Sequence, residues 1–342
     1  HKLWSNGKPW ISKRVGRIRT TSACKDTVVH IRAPGARTSG CYTCSMASCF
    51  RIVSVVLFAA SMCLVPSPGM ATEYVVPAGS DVTAFFAKLP ADATCVSFSA
   101  ARTYHASGDI VLPAVRFLIV DGEGCELSLG AGSNGFTVPI VDQKLAAQRT
   151  GNRYAIRDFA MISGGKKAVD LQATLNSSVF DCLMSGQSDV AVDLRFCLMT
   201  RLENVLVTNP LKRGFVVRCG DWPGATTSNS QSNHTVLSQC RVYCSKTTTE
   251  AFTVLNSGGV RMTDCISEGS PADYDLFLSA RTDGDEHANA NNPVVKTFTL
   301  SNFHVEHRLR KASIYVNMPP KATVNLENIY WNSPMGAPVI HY

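Results

Sequence analysis

Charge is scarce in this 342-residue chain: 17% of its residues are Asp, Glu, Lys or Arg, against 45% apolar. What charge there is sits unevenly. Residues 1–45 hold nine Lys/Arg and one acid, Asp26, a net +8; the formal total is +7, so residues 46–342 come to −1. Nucleic-acid binding needs clustered cations that displace counterions. No such cluster follows residue 45, which excludes nucleic acid as a partner of the main body. Long apolar runs are also lacking. The strongest candidate, residues 52–65 (IVSVVLFAASMCLV), is 14 residues, and a membrane-spanning helix takes about 20. Paired zinc-type cysteine spacings are missing: Cys41-x-x-Cys44 stands alone. The LxxLxLxxN line of leucine-rich repeats is absent, and no heptads set an oligomeric state.

The short apolar run has its own meaning. Arg51 precedes it, Pro66-Ser67-Pro68-Gly69 follows, and Met70-Ala71 closes it. Charge, apolar stretch and small residues at a cut site predict a secretory signal peptide over 46–71. A retained membrane anchor is the alternative. Residues 1–45 then read as a leader or disordered segment, with an organelle-targeting leader as the alternative. The body is residues 72–342, expected to be secreted or displayed at the cell surface, with no membrane contact after cleavage. Eight of the 13 cysteines fall in it: Cys95, Cys125, Cys182, Cys197, Cys219, Cys240, Cys244 and Cys265. Export permits disulfides; Cys240 and Cys265 read instead as small buried apolar groups.

Within the body a six-residue pattern recurs: apolar, any, Asn/Asp/Gln, apolar, any, apolar or small. Its polar members are Asp158, Asp181, Asn204, Gln239, Asp264, Asn302 and Asn328, advancing by 23, 23, 35, 25, 38 and 26 residues. A second series keeps step: Val169-Asp170-Leu171, Val192-Asp193-Leu194, Phe215-Val216-Val217-Arg218, Phe252-Thr253-Val254, Leu276-Phe277-Leu278, Ile314-Tyr315-Val316 and Val339-Ile340. Period-2 alternation predicts strands, and self-similarity at 20–50 residues predicts a solenoid. Together they predict an all-β, right-handed parallel β-helix. Strands of successive coils would pair about 4.8 Å apart. Phe159, Cys182, Val205, Cys240, Cys265, Phe303 and Ile329 would stack inward as one column. The Asn/Asp/Gln column would take the sharp corners, because those side chains tolerate left-handed backbone. Residues 81–89 (DVTAFFAKL) predict a short helix capping the N-terminal end of the stack.

That helix, the stretch ARTYHASGDIVLP (101–113) and VDGEG (120–124) resemble the N-terminal cap and first coil of pectate-lyase-like proteins, over about residues 73–340. The resemblance implies the β-helix fold and a secreted, polysaccharide-directed activity. The polygalacturonase motifs Asn-Thr-Asp, Asp-Asp, Gly-His-Gly and Arg-Ile-Lys are absent, so no catalytic residue is carried over.

Site candidates come from outward positions. Asp170, Asp193 and Arg218 are spaced 23 and 25 residues apart and are expected to stack on neighbouring coils. Two carboxylates about 5 Å apart repel by roughly 1 kcal/mol in water. Such a pair raises one pKa, binds a cation such as calcium, or recruits Arg218; a solvated ion-pair ladder is the alternative. The three are the catalytic candidates, with Asp170 and Asp193 as possible calcium ligands; no other cofactor is indicated. Lys166, Lys167, Asp189, Lys212, Arg213 and Trp222 precede or follow these strands and are candidates for holding an acidic polysaccharide. Trp222 could stack on a sugar or pack inward. The acidic insert at 281–293, with Asp283, Asp285, Glu286 and His287, lacks the EF-hand pattern. His304 and His307 have no nucleophile motif beside them. The function expected is a polysaccharide lyase or glycoside hydrolase on an acidic polymer; the alternative is a non-catalytic glycan-binding or adhesive β-helix.

Overall fold

The computed structural model describes residues 72–226, 228–279, 297–307, 310–317, 322–332 and 340–341. The leader, the signal segment and the acidic insert lie outside these, and so does Val339. The described residues belong to one compact unit, 68–342, and no helix among them is long and apolar enough to cross a membrane.

Every described strand pairing is parallel, and each strand pairs with one a full coil away. The fold is a parallel β-helix, in the right-handed sense that parallel crossovers take. Three faces follow one another around each coil. Long strands such as Phe117–Leu129, Arg153–Gly164, Ser178–Ser185 and Arg201–Thr208 serve the first and second faces. The third is built from Asn134–Thr137, Lys167–Leu175, Val190–Leu198, Arg213–Arg218, Glu250–Leu255, Tyr274–Ser279 and Ala312–Asn317.

The bend between the first two faces is where the sequence speaks most directly. All seven Asn/Asp/Gln positions have positive φ, between 50° and 57°. One left-handed residue redirects the strand without breaking the pairing on either side: Glu203 pairs with Phe180 before the bend and Val205 with Cys182 after it. Side chains of successive corners bond along the coil axis. Asn204 Nδ2 donates to Asp181 Oδ1 (2.6 Å), Asn302 to Asp264 (2.9 Å) and Asn328 to Asn302 (3.2 Å). Left-handed backbone costs a Cβ-bearing residue about 1–2 kcal/mol, which the Asn side chain partly offsets. Asn204→Ala is therefore expected to lose about 1–2 kcal/mol and Asn204→Gly less, read as shifts in urea midpoint.

The predicted inward column is buried from Phe159 to Phe303, and Ile329 is partly buried. Cys95, Cys125, Cys182, Cys197, Cys240, Cys244 and Cys265 are free thiols, and all of these but Cys95 are buried. Burial pushes the Cys125, Cys182, Cys197 and Cys244 thiols up to about 12. A thiol this far from ionising is a poor nucleophile. Maleimide should therefore label these four only after denaturant is added, and reductant should leave the melting temperature of the 72–342 body unchanged.

The N-terminal helix forms, but only over Val82–Phe86. Asp81 caps it, accepting from the Thr83 amide (3.2 Å). The amides of Lys88 and Leu89 turn back to Phe85 and Phe86, three residues away, and Pro90 follows; the helix tightens and stops before proline. Val82 and Phe86 bury, with Phe86 5.9 Å from the Phe136 ring.

Candidate functional site: the outer side of the third face

Alternation within the third face sends Val169, Leu171, Val192 and Leu194 inward, and the residues between them outward. One outward column runs Asp170, Asp193, Val216, Thr253, Phe277, Tyr315, His341; the next runs Gln172, Arg195, Arg218, Leu255, Ser279, Asn317. Asp170 and Asp193 are neighbours, as their spacing predicts. Arg218 is not in their column. The coil step here is 23 residues, so Val216 stacks on Asp193 and Arg218 stacks on Arg195.

Arg218 reaches Asp193 diagonally, donating from Nε at 3.0 Å and Nη2 at 2.9 Å. Lys167 Nζ lies 2.6 Å from Asp193 and 3.4 Å from Asp170. Arg195 Nη2 holds both Asp170 oxygens, at 2.6 and 2.7 Å. Asp221 closes the ring, 2.7 Å from Arg195 and 3.0 Å from Arg218. Three cations thus meet three carboxylates. The sequence reading omitted Arg195 and Asp221; Arg195 sits on an outward strand position two residues after Asp193, which was its signal.

The cluster is buried, not solvated: Asp193 is fully buried and Asp170 nearly so. Burial pushes the Asp193 carboxyl up, but Arg218, Lys167 and Arg195 overcome it and hold the group well below the usual carboxylate range. Arg195 and Arg218 are likewise held charged; burial works against the charge, and Asp193 with its neighbouring carboxylates outweighs it. Asp170, Asp193 and Arg218, the candidates for catalysis and calcium binding, are thus engaged with one another, with Lys167 and with Arg195 in the structure. A general acid must be protonated near working pH. Calcium would have to displace cations already bound to both carboxylates. Among the described residues no three His, Cys, Asp or Glu side chains converge as a metal-ligand set.

The loop after Arg213–Arg218 leans onto this cluster. Trp222 is buried, its indole 6.0 Å from the Phe196 ring and its Nε1 donating to Gln143 Oε1 (3.1 Å). It packs over Gly220, where any Cβ would strike the indole. Trp222 is therefore an anchor, which corrects its place among the ligand-binding residues. Gln143 starts a helix the sequence reading missed, Gln143–Arg149, capped by Asp142 onto the Leu145 amide (2.7 Å). Beneath the loop, Ala173 and Phe196 take positive φ on successive coils, a strained bend immediately after Gln172 and Arg195.

The remaining candidates divide. Lys167 is committed to the two carboxylates, and Arg213 is paired to Glu250 at 2.6 Å; both are corrected as free binding groups. Lys166, Asp189 and Lys212 do stack, each just before the paired positions Lys167, Val190 and Arg213. Lys166 and Lys212 are exposed, and Lys212 lies 3.4 Å from Asp189.

Further along the same face stands an aromatic ladder the sequence reading passed over. Phe277 and Tyr315 stack at 4.7 Å and 10°, Tyr274 lies 5.3 Å and 5.4 Å from them, and His341 meets Tyr315 edge-on at 5.5 Å. Lys311 sits over Tyr274 at 5.7 Å. The middle positions of Leu276-Phe277-Leu278 and Ile314-Tyr315-Val316 carried that signal. His304 packs edge-on to Tyr330 (4.6 Å). His307 is buried against Asp275 (2.7 Å), which also accepts from Ser267 and Ser313. Both hydroxyls bond the carboxylate, so the group forms no nucleophile–base pair.

No family model matches the chain, and no curated protein is significantly similar to it. Among solved structures, an alginate lyase from Paenibacillus sp. str. FPU-7 is similar at 13% identity, covering 79% of this chain and 99% of that one, with a TM-score of 0.44. The β-helix assignment rests on strand register, not on that likeness.

Proposed function

We propose that this protein is an exported, carbohydrate-binding β-helix that holds an acidic polysaccharide along the outer side of its third face. The observation that carries this reading is the outer side of one strand face: the Tyr274, Phe277 and Tyr315 rings pack together there, and the exposed cations Lys166, Lys212 and Lys311 lie along its edge. Aromatic faces suit the apolar faces of sugars, and edge cations suit uronate carboxylates. A repeat of about 4.8 Å per coil offers a linear polymer equivalent contacts along its length. Export is motivated by the signal-like segment 46–71. Binding is favoured over cleavage because Asp193, the most deeply buried carboxylate of this face, is paired with Lys167 and Arg218 and held well below the usual carboxylate range, which unsuits it as the acid of a hydrolase.

The test is titration of the protein with polygalacturonate, alginate and a neutral polymer of similar length. Saturable binding of a polyuronate is expected, weakening as salt rises. Lys166→Glu with Lys212→Glu should weaken it several-fold and flatten its salt dependence. Polyuronate binding that Lys166→Glu with Lys212→Glu leaves unaltered, or no polyuronate binding at all, would refute the reading. Release of unsaturated uronate ends, seen in the ultraviolet, would make the protein a lyase instead.

A further inference from the structure

The left-handed corner between the first and second faces also forms a furrow. A hollow of about 450 Å³ is bordered by Phe180, Asp181, Arg201, Glu203, Asn204 and Gln239. A smaller one, about 160 Å³, continues past Asn204 and Gln239 to Arg241. The shared pair marks an interruption in the corner ladder. Asp181 and Asn204 are bonded, and so are Asp264, Asn302 and Asn328. Between them Gln239 bonds neither neighbour: its exposed amide has no partner among the described residues, and the Asn204 carbonyl has none either.

We propose that this furrow is a second ligand site, for a neutral, hydroxyl-rich oligosaccharide lying along the corner. The Gln239 amide and the Asn204 carbonyl supply unspent donors and acceptors for hydroxyl groups. Phe180, half-buried and backed by the Arg157 guanidinium at 5.9 Å, offers a ring. The charges are balanced, Asp181 and Glu203 against Arg201 and Arg241, and Arg201 faces Glu203 at 3.7 Å. A polyanion would gain nothing from such a set. A peptide strand would need unpaired backbone, whereas the strands bordering the furrow are paired to their neighbours on both sides.

The experiment is calorimetric titration of the whole chain with cellohexaose, maltohexaose and a hexauronate. Saturable, salt-insensitive binding of a neutral hexaose is expected. Phe180→Ala and Gln239→Ala should each weaken it about tenfold, while Lys166→Glu with Lys212→Glu on the third face leaves it unchanged. Gln239→Asn provides a variant that keeps the left-handed corner: one methylene shorter, it should close the ladder gap, abolish binding and leave the unfolding midpoint the same or higher. Failure of both neutral hexaoses to bind, or binding that survives Phe180→Ala and Gln239→Asn, overturns the proposal without bearing on the third face.

Discussion

Asp193→Ala is expected to destabilise the fold by about 3–5 kcal/mol, the range for stranding buried charge. Asp193 is fully buried and is the common partner of Lys167 and Arg218, with Arg195 beside it. Removing it leaves three cations facing one another with Asp170 and Asp221 alone to balance them. Asp193→Asn, which keeps the shape and loses the charge, should cost nearly as much; a small effect in both variants would mean the network is spare. The sign of the pH dependence follows from the depressed pKa. A carboxyl whose folded value lies below its ordinary 3.8 contributes fully above about that pH, and the contribution is lost as pH falls through the folded value. Urea midpoints measured downward from pH 5 should thus fall more steeply for the parent protein than for Asp193→Ala.

Phe159→Ala is expected to cost a similar amount, about 3–5 kcal/mol, for a different reason. Phe159 is buried where the N-terminal coils meet, 5.2 Å from the Phe98 ring and 5.3 Å from Phe136. It stacks between Cys125 and Cys182 of the adjacent coils. Two small thiols above and below cannot move in to fill the space a lost ring would leave, so the cavity term adds to the transfer term. Phe159→Leu keeps most of the volume and should cost less. A urea midpoint for Phe159→Ala within experimental error of the parent would show that the column is not continuous.

The two variants also separate the fold's supports. Phe159 acts inside the coil, between faces, and Asp193 acts outside it, between coils. Their effects should add, since they share no partner.

How far the sequence could be read depended on whether a residue's role was set by its own backbone. Asp158, Asp181 and Asn204 were legible because a left-handed corner selects those side chains wherever it occurs. The alternation around Val169 and Val192 was legible because a strand has two sides and only one can be buried. Arg218 was misplaced by one outward column because spacing counts residues, whereas stacking follows the coil, and here the step was 23 and not 25. Trp222 could not be placed at all: its partners are Gln143, 79 residues earlier, and Phe196, a full coil away.

The sequence by itself determined the winding: strand, corner and period are local matters of backbone preference and apolar alternation, repeated often enough to be unmistakable. Only the tertiary structure decided what the outward carboxylates do. Asp170 and Asp193 are the same two residues in an exposed cleft or under a roof, but the loop that brings Asp221 against Arg195 and Arg218 encloses them among cations. The energy of a charge depends on every charge and every water molecule near it, and those neighbours are gathered from distant parts of the chain.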